Sequence, residues 1–437
     1  MIAIDARWPH RQTLIQSGPV ARSRGRDVDW RRLCSSLQVA FGYIKQMTTN
    51  LTQERSDFAQ QRRARTRRFA YRAFQIIFLL HVYLAWRLLP DLPIGRELQL
   101  LAGLGLALSS LLIPFGTLGR VFFVNQIVID RLTWAGGLSM GWASSLLVFT
   151  LMRDLAMLVL GLQVWRQESA VFVLGLSIIV TMIGFFNARR VAKVVHVSIP
   201  LHRLPTELVG FTIVQVSDLH VGSTIRRNYV QAIVGRVNEL TPDVIVLTGD
   251  IVDGYVAQLA GEVEPLAGLR ARHGSYLVTG NHEYYHGAAE WISAFRRLGL
   301  HPLLNQHVVL NHNGAEIVIA GINDFSANKS AHDHVSDPTA ALAESPIGAP
   351  KIMLAHQPRS GPAAEAAGSD LQLSGHTHGG QFWPWNYFVR LQQPYVAGLH
   401  RLGAMWIYTS RGTGYWGPPK RFGAPSEITL ITLSRAA

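Results

Sequence analysis

Five short polar blocks carry the residue types that could do chemistry in this chain of 437 residues, and each follows a short apolar run. Ser217-Asp218-Leu219-His220 ends the run from Phe211, and Gly249-Asp250-Ile251-Val252-Asp253 ends the run from Val244. Gly280-Asn281-His282-Glu283, a lone His356, and Gly375-His376-Thr377-His378-Gly379-Gly380 complete the set. Two carboxylates, an amide oxygen and several imidazoles make a hard-to-borderline donor set that suits manganese, iron or zinc. Cys34 is the single cysteine, so no thiolate cluster competes for a metal and no intrachain disulfide can form. Asp250 is the natural bridge, because one carboxylate can give an oxygen to each of two cations. In Asp218-Leu219-His220 and His376-Thr377-His378 the donors alternate. Leaving an extended segment they would point the same way, whereas a tight glycine-flanked turn would aim them at different ions.

Taken singly, each block reads as a turn, since Gly-Asp and Gly-Asn pairs are ordinary turn formers. Their joint occurrence in this order reverses that preference. The elements that must position them are short β-rich runs alternating with helical stretches. Phe211 to Ser217, Val244 to Thr248, Tyr276 to Thr279, Glu316 to Ala320, Lys351 to Ala355, Leu371 to Leu373, Met405 to Thr409 and Glu427 to Thr432 read as strands. Arg226 to Leu240 and Ala288 to Leu298 read as helices. Strand, helix, strand argues for parallel pairing with helices outside, followed by a more hairpin-like second half. In an open α/β sheet the carboxyl ends of the strands face one crevice, so residues distant in sequence converge there. This domain is expected over residues 205–437.

Ahead of it, over residues 69–190, lie runs long enough for a bilayer, which takes about 20 helical residues. Phe69 to Leu89, Leu98 to Leu118, Leu132 to Met152 and Ala170 to Phe186 are the four candidate spans. Leu155 to Trp165 is apolar but short, and reads as interfacial, re-entrant or the end of a shifted third helix. The formal net charge is +13, and residues 1–68 hold 14 Lys/Arg against 5 Asp/Glu. A basic arm just before a span fits anionic lipid and insertion orientation better than nucleic acid. The arm, residues 1–68, is expected to be disordered or weakly helical, with Met47 a second candidate start. Arg62 to Arg68 before the first span and Arg189, Arg190 and Lys193 after the last place both ends in the cytoplasm. Thr66-Arg67-Arg68 resembles a twin-arginine export signal, but the residues after it fit poorly and three more spans follow.

The blocks, in this order, resemble the calcineurin-like metallophosphoesterase superfamily. The resemblance is closer to its membrane-associated bacterial branch, which carries Gly-His-Thr-His-Gly-Gly-Gln, here 375–381. It covers roughly residues 205–435, extends through Arg411-Gly412-Thr413-Gly414 and Arg421-Phe422-Gly423, and leaves out the basic arm. It implies the fold class: an N-terminal α-helical transmembrane bundle plus a C-terminal α/β metallophosphoesterase domain, a four-layer αββα sandwich. It also implies two divalent metal ions. Asp218, His220 and His378 would bind one, Asn281, His356 and His376 the other, with Asp250 bridging. His282 would face the scissile group and Asp253 would orient its ring. A metal-bridging hydroxide would then attack phosphorus in line while His282 stabilises charge or protonates the leaving oxygen.

The expected function is therefore a membrane-anchored phosphoesterase of the bacterial inner membrane, with its catalytic domain cytoplasmic. Membrane lipids are the expected surroundings, and the expected substrate is a phospholipid or a nucleotide-linked glycolipid. The alternative is a metal-binding membrane sensor or transport partner without turnover. No oligomeric state is read from the sequence. His273, His286, His301, His307, His332, His334 and His400 lie outside the blocks and read as surface or loop histidines. Asp324 reads equally as a turn residue or a neighbour of the site, and Glu283 as a support or a helix-start carboxylate. Trp383, Trp385, Tyr387, Phe388, Tyr415 and Trp416 read evenly as core or as rings at the bilayer interface.

Overall fold

A computed structural model describes residues 68, 70–327 and 334–436 of the chain. Apart from Arg68, the expected basic arm lies outside the described residues, as does His332. Four helices are long and apolar enough to cross a membrane. They are α1 (Ala70–Asp91), α2 (Arg96–Phe122), α3 (Gln126–Leu160) and α4 (Arg166–Arg189). The 35 residues of α3 take in the third expected span and the start of the short run beyond it. Leu155 to Leu160 is thus the end of a shifted third helix.

Charge pairing lets α3 continue through Arg153 and Asp154. Arg153 donates to Asp91, Arg166 lies 3.1 Å from the same carboxylate, and Arg87 and Tyr83 donate to Asp154 at 2.7 and 2.6 Å. Ionisable groups among spanning helices are tolerated when they face the bundle and pair in this way. Gly116 and Gly136 allow α2 and α3 to touch along their backbones. A Cβ on Gly116 would fall 2.7 Å from the Leu132 carbonyl oxygen.

The rest of the described chain is one α/β unit. Its strands are β1 (Lys193–Leu201), β2 (Thr212–Val216), β3 (Val244–Thr248), β4 (Ser275–Val278), β5 (His301–Pro302) and β6 (Gln306–His312). They continue as β7 (Ala315–Gly321), β8 (Lys351–Leu354), β9 (Leu371–Ser374), β10 (Gly398–Leu402), β11 (Met405–Thr409) and β12 (Glu427–Arg435). The helices are α5 (Arg227–Asn238), α6 (Val256–Val263), α7 (Asn281–Tyr285), α8 (Ala288–Arg297), α9 (Pro338–Leu342), α10 (Gly361–Ala366) and α11 (Trp385–Phe388). Two six-stranded sheets form, in the orders β1-β12-β2-β3-β4-β5 and β10-β11-β9-β8-β7-β6.

Strands β2 to β5 pair in parallel, as do β7, β8, β9 and β11. Ile213, Val246, Ile319, Ile352 and Leu373 fill the space between the sheets. Val230, Val234, Trp291 and Phe295 seal α5 and α8 onto the first sheet, and Ala341 and Ala364 seal α9 and α10 onto the second. The result is four layers, αββα.

The segment from Asn187 to Leu204, expected as a plain connection, carries β1, which runs parallel to β12 over nine residues. The domain therefore starts against the end of α4, well ahead of residue 205. β1 was hard to see because it is a sheet-edge strand with only two buried residues, Ile199 and Leu201, near its end.

The α/β unit also grips the helices from the side. Lys420 projects into the bundle, where Nζ donates to the Gly141 carbonyl (2.7 Å), Ser145 Oγ (2.5 Å) and Thr181 Oγ1 (3.0 Å). Trp383 stacks on Phe149, Trp385 Nε1 donates to Ser144, and Arg226 pairs with Asp130. A buried ammonium held by three oxygens is stable only while all three stay in place. Lys420→Ala should therefore destabilise the protein by about 2–3 kcal/mol through lost charge-assisted hydrogen bonds. A lower midpoint in thermal unfolding in detergent would show this, and an unchanged midpoint would mean the grip is incidental.

Candidate metal centre

All five blocks meet beyond the carboxyl ends of β2, β3, β4, β8 and β9. Asp218 follows β2, Asp250 follows β3, Asn281 opens α7 just after β4, His356 follows β8, and His376 follows β9. Asp218, His220, Asp250, His376 and His378 all adopt positive φ, between 51° and 70°. Asp and His visit that region more readily than most residues, but it is still strained. Here the reversal turns each side chain back over the strand ends towards a common point. Gly280 and Gly375 leave room for this, since a Cβ on either would fall 2.2 Å from a carboxylate oxygen of Asp250 or Asp218.

The donors form overlapping groups. Asp218, His220 and His378 place one ligand atom each within 4.8 Å of one another, and so do Asp250, His356 and His376. His376 and His378 thus go to different groups, as a glycine-flanked turn allows and an extended strand would not. His356 Nε2 lies 3.1 Å from Asp250 Oδ2 and 3.2 Å from His376 Nδ1, while its Nδ1 contacts the Thr248 carbonyl at 2.8 Å. That second contact fixes the ring orientation. His220 Nε2 sits 3.0 Å from His378 Nε2 and 3.9 Å from Asp250 Oδ2.

His220 Nδ1 and Asn281 Oδ1 are among the buried atoms that have no hydrogen-bond partner among the described residues. Buried polar atoms normally find one. Their orphaned state, the clustered imidazoles and the paired carboxylates all fit two divalent cations. Burial holds His220 and His376 down at about 3, and burial with the Arg421 guanidinium holds His378 well below its ordinary value. Neutral imidazoles keep a lone pair for a cation. Burial would raise Asp250, but the imidazoles of His356 and His282 outweigh it and hold the carboxyl well below its ordinary range.

His282 stands at the edge of this cluster, its Nδ1 3.1 Å from Asp253 Oδ1. Burial opposes its charge, yet the carboxylates of Asp250 and Asp253 raise it to about 9. His286 also reaches Asp253, Nε2 to Oδ1 at 3.1 Å, so it belongs to the site and is not the loop histidine the sequence suggested. The signal was present: His282 and His286 are four residues apart at a helix and its C-terminal cap.

Glu283 is fully buried and accepts from the backbone amides of Gly280, Asp250, Ile251 and Val252 at 2.7 to 3.2 Å. It ties the Gly-Asp loop to α7. Arg421 had no role assigned from the sequence. Its guanidinium is buried, donates to the His378 carbonyl at 2.8 Å and lies 3.0 Å from His378 Nδ1. Since its neighbour Lys420 is held by α3 and α4, one dipeptide joins the bundle to the cluster.

Asp324 lies outside the donor groups and accepts from Gln357 beside His356, at 2.9 Å. His273 pairs with His312, His307 bonds the Ala341 carbonyl, His334 meets Tyr284 and His400 bonds the Ala397 carbonyl. His301 packs near Tyr276. None of these is in a donor group. Of the aromatics, Tyr415 is buried, whereas Trp385, Tyr387, Phe388 and Trp416 are exposed.

With this geometry in place, comparison with known proteins is direct. The calcineurin-like phosphoesterase family matches residues 211–380. An uncharacterized metallophosphoesterase of Campylobacter jejuni is 32% identical over 314 residues, which cover 82% of that protein and 69% of this chain. The chain belongs to the calcineurin-like phosphoesterase family. A protein of Danio rerio called transmembrane protein with metallophosphoesterase domain is 39% identical over 277 residues, covering 62% of this chain. The chain spans 63% of that relative's length, and 61% of the length of a Bos taurus protein of the same name. Phosphopantetheinyl hydrolase of Mycobacterium tuberculosis superposes with a TM-score of 0.31 at 13% identity over 48% of this chain and 91% of its own, too slight a likeness to bear on function.

Within this metallophosphoesterase domain, Glu283 makes the contacts whose loss is easiest to read. Glu283→Ala would strand buried amides at about 1–3 kcal/mol each. The thermal unfolding midpoint should fall well beyond the effect of alanine at exposed Glu239, and equal effects would contradict the assigned role.

Proposed function

We propose that the chain is a membrane-anchored, metal-dependent phosphoesterase that hydrolyses a phosphoester or pyrophosphate bond of a lipid-linked substrate. One observation carries the reading. Donors of the cluster and His282 face a cavity of about 520 Å³ whose wall includes Met140 of α3. The site therefore opens against the helix bundle. Asp218, His220 and His378 would hold one divalent ion and Asn281, His356 and His376 the other, with Asp250 between them. Manganese, iron or zinc suits these donors. When bound, the ions would supply positive charge for the phosphoryl oxygens and a lowered pKa for water.

The chain's own residues supply the rest. Asp253 fixes the His282 ring through Nδ1, which leaves Nε2 to donate. Held against the Asp253 carboxylate, which favours its protonated form, His282 can give a proton to the leaving oxygen. His286 holds the other approach to the Asp253 oxygen, so the pair cannot swing freely. A phospholipid or nucleotide-linked glycolipid is the favoured substrate, because a site beside α3 is within reach of the leaflet.

Charge supports one side of the membrane for the domain. Arg72, Arg131, Arg189, Arg190 and Lys193 flank the spans on the side of the α/β unit. On the other side, Arg87, Arg153 and Arg166 are paired with carboxylates. The excess supports a catalytic domain in the cytoplasm of a bacterial inner membrane. A C-terminal alkaline phosphatase fusion should then be inactive and a fluorescent protein fusion bright, whereas the reverse would invert the topology.

Purified protein supplied with manganese, iron or zinc should hydrolyse bis-p-nitrophenyl phosphate. Binding of phosphate with no turnover under any of these ions would leave a sensor in place of an enzyme. Asp250→Asn should lose metal and turnover together. His282→Ala should retain both ions by elemental analysis while kcat falls about 10²–10⁴-fold; loss of metal in that variant would refute the role given to His282.

A further inference from the structure

The donor cluster separates two cavities that share His220, His282, Tyr285, Trp416 and Met140. The larger, about 520 Å³, contains the donors Asp250, Asn281, His376 and His378 and is bounded on its outer side by Phe382, Trp385 and Val389. The smaller, about 340 Å³, lies on the side of His282 that faces Asp253 and His286. It is closed by α2 and α3 through Thr117, Thr133 and Gly137, and by Ser223 and Thr224 from the α/β unit.

The linings differ in kind. Beyond the donors, the wall of the larger cavity is mainly aromatic and aliphatic, with Thr377, Gln381 and Gln392 among these residues. It continues into Tyr387, Phe388 and Leu391, which are exposed, Leu391 to 83%. Trp385 binds Ser144, within the spanning part of α3, so this exposed apolar row lies along the bundle, where a leaflet would surround it. The smaller cavity is the more polar of the two, with hydroxyls, a carboxylate and imidazoles set among Ile129, Met140 and Trp416. Its volume corresponds to about ten water molecules, enough for a small polar headgroup of about ten non-hydrogen atoms.

We infer that the substrate is a lipid phosphodiester bound in one orientation, with its acyl chains passing Trp385 to the leaflet and its polar headgroup in the smaller cavity as the leaving group. This rests on the hydrolase reading above and adds which bond is cut. The phosphoryl group belongs beside Asp250, Asn281, His376 and His378, which line only the larger cavity. The leaving oxygen belongs at His282 Nε2, and His282 lines both cavities, so the bond to be cut lies where the two meet. Water forms the new oxygen–phosphorus bond and the phosphorus–oxygen bond to the headgroup breaks. The headgroup oxygen keeps the electron pair and takes the proton from His282 Nε2. The proton lost by the water restores His282. The products are a lipid phosphomonoester and a headgroup alcohol.

The test uses the full chain in phosphatidylcholine vesicles containing phosphatidylglycerol. A diazirine on the glycerol headgroup should label the segment 116–137, and one at the end of an acyl chain should label 382–391, both in His282→Ala so that the lipid persists. Exchanged labels, or labels at neither segment, overturn the orientation. With manganese, the unsubstituted protein should yield phosphatidate and glycerol, and diacylglycerol with glycerol phosphate would overturn it. Thr133→Trp, which fills the smaller cavity, should lower the ratio of phosphatidylglycerol to phosphatidylmethanol cleavage about tenfold, since methanol needs no chamber. An unchanged ratio removes the headgroup site. If bis-p-nitrophenyl phosphate is hydrolysed but no vesicle of phosphatidylglycerol, phosphatidylethanolamine or phosphatidylinositol is, this inference fails and the hydrolase reading stands. If none is hydrolysed, the hydrolase reading fails first.

Discussion

Asp250 keeps a carboxylate almost wholly out of water, with 2% of the residue exposed, and the architecture around it is arranged to hold that charge. An isolated buried carboxylate would cost several kcal/mol and would protonate instead. Here the His356 ring lies against one oxygen and the His282 amide donates to the other at 2.8 Å. Glu283 secures the loop that carries it through three consecutive amides. His356 follows β8 in one sheet while His282 and Glu283 follow β4 in the other, so the charge is held only when both sheets are assembled. The two sheets and their shared apolar core are thus the precondition of the cluster.

A second constraint comes from the membrane. Four spanning helices would by themselves leave the α/β unit free on its connection, but strand β1 removes that freedom by entering the sheet directly after α4. Lys420 and Arg421 then join the bundle to His378 within two residues. A displacement of α3 against α4 would move the oxygens that hold Lys420, and the guanidinium beside His378 with them. The site and the bundle are one mechanical unit, which makes the position of the cavities against α2 and α3 a fixed property of the fold.

Much of the domain was readable because its strands are buried on both faces and so appear as unbroken apolar runs, as in Val244 to Thr248. The strands that escaped notice are the ones without that signature. β6 and β10 are mostly exposed or half-buried, β5 has two residues, and β1 lies at an edge. The shifted end of α3 was obscured by Arg153 and Asp154, whose partners Asp91 and Arg87 come from another helix and leave no local trace.

The sequence by itself determined the donor types, their order and their place at strand ends, because those follow from local hydrophobic patterning and from what each side chain can ligate. It also determined that four segments suit a bilayer, since length and apolarity are sums over one stretch of chain. Tertiary structure alone decided which imidazole joins which carboxylate. It alone brought His286 to Asp253 and Arg421 to His378, and it set two unlike cavities on either side of His282. Those outcomes depend on positive-φ reversals and on contacts between residues up to hundreds of positions apart, and pairing at that range is fixed by how layers pack.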